Sequence, residues 1–188
     1  MFLLNMSKKL LTDKIIAAYL KRLESMNKYK FTEEGNKLFV KNLIAETEQV
    51  NDLHVRTKID NFIIESDEPE TLGGSNLAPN PMQLLLASFS NCLEITALLY
   101  FSFARMKINS VKVRVEATFD QRAALAVKGG PLPGFYNYDV TWYIDSEEKF
   151  RKIKQVLKKV ETLCPVRGSF QNPKRFSEKV ILIGEEVK

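Results

Sequence analysis

Apolar residues recur at helical spacing near the start of the chain. Leu11, Ile15, Tyr19 and Leu23 follow at four-residue steps, with Ile16 and Leu20 beside them and lysines on the other side. That period predicts an amphipathic helix over 7–26. The pattern then changes to alternation, and short strands are expected over 37–43, 53–59 and 62–65. In the second of these, Leu53, Val55, Thr57 and Ile59 share one face, and His54, Arg56 and Lys58 share the other. An acidic stretch and the pair Gly73-Gly74 mark a loop. Asn80 and Pro81 then read as an N-cap and a first helical residue, opening a long apolar helix to about Met106. Strict alternation returns over 110–119 and 136–144, separated by a Gly/Pro-rich connection. Ser146 is expected to cap a further helix, with Glu147 and Glu148 in its first turn. Ile153, Val156, Leu157, Val160, Leu163 and Cys164 line the inner side of that helix, and Pro165 ends it. A closing strand is expected over 179–183. Hairpin-length links between strands argue for an α+β fold with a mainly antiparallel sheet.

Composition narrows this picture. The chain has 188 residues, 45% hydrophobic and 27% charged, which excludes wholesale disorder and suits one domain with an appendage. We divide it into an N-terminal helical extension, 1–36, and a body, 37–188. The first residues carry a short apolar run with basic residues after it, the reverse of a secretory signal, so a cytoplasmic protein is expected. Between Pro81 and Arg105 the only formal charge is Glu94. That length could span a bilayer, but polar residues spread through it predict a helix of a globular core, with no membrane partner. The net charge of +5 arises locally: 145–179 holds ten basic and five acidic residues. These alternate with an apolar stripe, so they read as a solvated helix face and not as a nucleic-acid surface.

The inventory of reactive groups is small. One histidine and two cysteines exclude a four-thiolate zinc site or any site needing two histidines from one chain, and no metal is expected. Cys92 lies in the long apolar helix, with Ser88, Leu85, Thr96 and Leu99 as helical neighbours. Cys164 ends the inner side of the later helix. Both thiols point where two helices would pack. Buried cysteine is common as plain core, and two cysteines on facing helices can also form a redox pair. A reactive thiol needs a cation or a helix N-terminus beside it. By position, Arg56 and Arg167 are the candidates.

Four segments in order resemble one family. They are 67–74 (DEPETLGG), 78–87 (APNPMQLLLA), Asn91-Cys92-Leu93 and 160–166 (VETLCPV). Together they resemble the OsmC/Ohr family of osmotically inducible protein C and organic hydroperoxide resistance proteins, over roughly 53–183. The resemblance implies an OsmC-like fold, with a mainly antiparallel sheet wrapped around two long central helices, in an intertwined homodimer. It implies a thiol peroxidase with Cys92 as peroxidatic and Cys164 as resolving cysteine. The substrate would be an organic hydroperoxide, with Leu85 and Phe89 lining an apolar pocket. The reductant would be an external dithiol, with no bound cofactor. Two positions depart from the family's pattern. Gln83 stands where a carboxylate holds an arginine against the thiolate, and that arginine is missing from the strand just before the loop, leaving Arg56 one strand earlier. The alternative is a small-molecule-binding or redox-sensing protein with little turnover.

Overall fold

The alternating residues of the second half build the longest ladder of the molecule. The computed structural model describes residues 9–125, 127–172 and 176–179. In chain order the elements are α1 (Asp13–Tyr29), α2 (Glu33–Phe39), β1 (Ala45–Asn51), β2 (His54–Ile59), β3 (Phe62–Ser66), a 3-10 turn (Glu70–Leu72) and α3 (Pro81–Phe103). There follow β4 (Ile108–Phe119), α4 (Gln121–Ala124), β5 (Phe135–Ser146), α5 (Phe150–Leu163) and α6 (Pro165–Gln171). β4 and β5 pair antiparallel from Ile108–Ser146 to Phe119–Phe135. Their inward residues Val111, Val113, Val115, Tyr138, Trp142 and Ile144 pack against the core. β1, β2 and β3 form a separate antiparallel meander. The expected single sheet is thus two sheets among the described residues.

α3 and α5 supply the core. Phe89, Leu93, Ala97 and Phe101 recur at four-residue steps on α3 and meet Ile153, Val156 and Val160 of α5. α3 starts where its cap predicts. Asn80 Oδ1 accepts the Gln83 N–H at 2.9 Å, and Gln83 Oε1 accepts the Asn80 N–H at 2.8 Å, a reciprocal capping box. The helix ends three residues before Met106, because Arg105 turns left-handed with φ of 51°. The Met106 N–H closes that turn on Phe101 O at 3.2 Å. α3 is long and apolar enough to cross a membrane. Here one side of it meets α5 and β4, and the other side lines a cavity described below.

Two expectations are corrected, and a third lies outside the described residues. Residues 37–43 are not a strand: Thr32 Oγ1 accepts the Gly35 N–H at 3.1 Å and caps α2, which runs to Phe39. The strand begins at Ala45 instead, in a segment with no alternation of its own, recruited by its ladder with β2. Ser146 does not cap α5. Its hydroxyl donates to Lys107 O at 2.7 Å and accepts the Glu148 N–H at 3.0 Å, closing the turn after β5, and the helix starts at Phe150. The strand expected over 179–183 lies outside the described residues apart from Lys179.

The loop before α3 is tied down by one carboxylate. Asp67, 2% exposed, accepts N–H groups from Glu68, Ser75 and Leu77 at 2.8, 3.0 and 3.1 Å. Burial alone would raise its pKa; the three backbone donors outweigh that and hold it below the usual value. Gly74 makes the turn fit. A Cβ there would sit 1.9 Å from Glu68 O, so no larger residue passes.

Candidate functional site

The two cysteines meet at the centre of the molecule. Cys92 sits on α3, half-buried, and Cys164 occupies the junction between α5 and α6, 1% exposed. Both are free thiols, with their sulfurs 3.3 Å apart and Cys164 donating to Cys92. A disulfide needs about 2.05 Å, so a shift of a little over 1 Å would join them. The pair forms because of two local facts. Helical period turns Cys92 toward α5, and Pro165 stops α5 at the residue that carries the second thiol.

The two thiols differ in environment. Burial pushes the Cys164 thiol above its ordinary value, and the neighbouring Cys92 adds to that, while backbone amides of Arg167 and Val166 pull the other way. The buried thiol therefore keeps its proton and offers it to Cys92. Cys92 opens on a cavity of about 990 Å³. Leu84, Ser88, Ile95 and Leu99 of α3 line one side of it. Leu163, Pro165 and Val166 lie beside Cys164, and Ile64 reaches in from β3. The remaining wall is α1, through Tyr19, Arg22, Leu23 and Met26.

Other expected site residues stand elsewhere. The Arg56 guanidinium is held by Glu65, directly opposite on β3, at 2.8 Å, and does not line the cavity. Cross-strand pairing thus uses the charge expected beside Cys92. Arg167 reaches Glu161 at 3.8 Å, and what it gives to Cys164 is its backbone amide. Gln83 is occupied in the capping box and lies outside the cavity lining. Leu85 and Phe89 do not line the cavity either. Phe89 is core, edge-on to Tyr138 and Phe170 at 5.4 and 5.3 Å, and Leu85 lies on the same side of α3 with 39% exposure.

The sequence reading missed the wall supplied by α1. Arg22 is the one charged side chain among the described residues lining the cavity, and it stacks over the Phe39 ring at 5.7 Å. The signal was present, since Tyr19, Leu23 and Met26 share the apolar side of the predicted helix. What covers that side is a tertiary fact that its period does not give.

Comparison with known proteins agrees with this architecture. The family model for OsmC-like protein matches residues 73–179. No curated protein matches the chain. An OsmC-like protein from Mycoplasma pneumoniae superposes with a TM-score of 0.59 at 21% identity, covering 70% of this chain and 88% of that one. An organic hydroperoxide resistance protein from Legionella pneumophila gives 0.54 at 20% identity, over 70% and 90%. Another from Elizabethkingia anophelis, with thiocyanate bound, gives 0.55 at 20% identity, over 70% and 89%. At such identities the structures speak to fold, and the family match speaks to descent. The chain belongs to the OsmC-like protein family.

Proposed function

We propose that this protein is a thiol-dependent peroxidase that reduces organic hydroperoxides. The observation that carries the reading is the sulfur pair at 3.3 Å, one thiol facing an apolar cavity and the other buried. The Cys92 thiolate attacks one oxygen of the hydroperoxide. The O–O bond breaks, the alkoxide leaves and takes a proton to become the alcohol, and Cys92 becomes a sulfenic acid. The Cys164 thiol then displaces hydroxide from that sulfur, releasing water and forming the Cys92–Cys164 disulfide. An external dithiol returns both cysteines to thiols by exchange and is itself oxidised. No bound cofactor enters this cycle. Apolar cavity walls favour an organic peroxide over a small polar one. We further propose that the working form is a homodimer.

Cumene hydroperoxide should lower the intact mass by two hydrogens, with Cys92 and Cys164 joined in one tryptic pair. Cys164→Ser should instead leave a sulfenic acid on Cys92 that dimedone traps, and Cys92→Ser should leave the peroxide unconsumed. Free thiols on both cysteines under excess peroxide would end this reading.

A second reading has one observation of its own. Arg56 and Gln83, expected to support the thiolate, are both occupied elsewhere. A redox sensor forms the same disulfide but turns over little. Steady-state assays with dihydrolipoamide separate the two, because rapid turnover belongs to the peroxidase alone.

A further inference from the structure

A second cavity, of about 870 Å³, lies between the end of α3 and the outer side of α5. Arg105, Lys152, Lys158 and Lys159 line it, with one carboxylate, Glu148. That carboxylate is already used. Glu148 pairs with Lys152 at 3.0 Å and accepts the Lys107 N–H at 3.3 Å. Among the described residues no carboxylate pairs with Arg105, Lys158 or Lys159. Three cations without a carboxylate partner thus border one concave space. Such a cleft focuses its potential and concentrates anions. Its volume falls in the range of small-molecule sites, about 300–1,000 Å³. Met106, Val156 and Leu163 give it an apolar side as well.

The backbone adds an independent observation. Arg105 holds a φ of 51°, in the left-handed region, at the position after a helix where glycine is the usual residue. An arginine costs more than glycine at that φ. Neutralising the carbonyl end of α3 accounts for one cation near that terminus. It does not account for Lys158 and Lys159, which come from the middle of another helix.

We propose that this cleft binds a small phosphate-bearing molecule with an apolar portion, of the nucleoside di- or triphosphate class. Arg105, Lys158 and Lys159 would take the phosphates, and Met106 and Leu163 the apolar portion. A concave site fits a small polyanion better than a nucleic-acid backbone, which needs cations spread along an open surface. The inference does not depend on the thiol chemistry.

Calorimetric titration of the full chain at low ionic strength, with ATP and with tripolyphosphate, tests it. Both are expected to bind, ATP more tightly. Lys158→Glu and Lys159→Glu should each weaken binding about tenfold. Arg151→Glu changes the net charge equally but lies outside the cleft lining, and should alter binding less than twofold. Arg105→Gly is the sharpest variant. It should weaken binding while holding or raising the melting temperature, because glycine is relaxed at that φ. Loss of both together would mean a structural role and overturn the assignment of Arg105. No binding by either probe, an equal loss from Arg151→Glu, or preferential binding of a single-stranded oligonucleotide would overturn the site.

Discussion

The body built from α3, α5, β4 and β5 keeps Leu93, Phe101 and Val160 at 1% exposure or less, whereas the β1–β3 meander leaves Phe62 72% and Ile64 39% exposed. Both regions have paired strands and one apolar side. They differ in what lies on that side. In the body, two helices cover the sheet. In the meander, the ladder places Ala45, Val55, Ile59, Phe62 and Ile64 on one side, and Glu46, Glu48, Arg56, Lys58, Glu65 and the apolar Ile63 on the other. On the charged side Arg56 pairs with Glu65 across the strands, while the apolar side faces open space and one edge of the cysteine cavity. A single chain therefore completes the core around the two cysteines but not the sheet beside it. An uncovered apolar patch of this kind marks an interaction surface, which supports the homodimer proposed above.

The body is the place to break the fold. Phe101 is fully buried between α3 and its neighbours. Phe101→Ala should cost about 3–5 kcal/mol, as expected for emptying an aromatic site in a packed core. Urea unfolding followed by fluorescence of Trp142, the only tryptophan, measures it directly. A cost below about 1 kcal/mol would mean that the body is not the stable unit that the comparison makes it.

A smaller effect concerns the start of α3, where body and meander meet. Gln83 serves the capping box, so Gln83→Ala should cost about 0.5–1 kcal/mol. Its place outside the cavity lining predicts an unchanged rate of disulfide formation under peroxide. A tenfold slower disulfide at equal stability would give Gln83 a part in the thiol chemistry that its hydrogen bonds do not indicate.

What the sequence made legible follows the same division. β4, β5 and the start of α3 are written in local signals: strict alternation in one case, Asn80-Pro81 in the other. The cysteine pair was legible too, because helical period and Pro165 fix which way each thiol faces. β1 was not. Its residues, Ala45–Asn51, carry no period of their own and become a strand only by pairing with β2. Arg56 was placed beside the thiol because its partner is set by cross-strand register, which a single strand does not encode. Leu85 and Phe89 were misplaced for a different reason. α3 is apolar on two sides, so its period could not separate the core row, 89–93–97–101, from the cavity row, 84–88–92–95–99. Only packing against α5 and β4 decides which row goes inside.

The smallest effect on the body is expected from the meander, and there it is most informative. Phe62 is exposed in one chain and touches none of the buried core. At concentrations low enough for single chains, Phe62→Asp should leave Trp142-monitored unfolding within about 0.5 kcal/mol of wild type. At higher concentrations the two should diverge. A protein that is stabilised by pairing with its own copy unfolds at a higher midpoint as concentration rises. Wild type should show that dependence, and light scattering should give twice the chain mass. Phe62→Asp would place a carboxylate in the covered patch, where an unpaired charge is costly, so its midpoint should not move with concentration and its mass should be that of one chain. A wild type that stays monomeric would leave the apolar side of β1–β3 without the partner proposed for it. If instead the body itself loosened in Phe62→Asp at low concentration, the meander would belong to the subunit core, and the division between a finished and an unfinished half would fall.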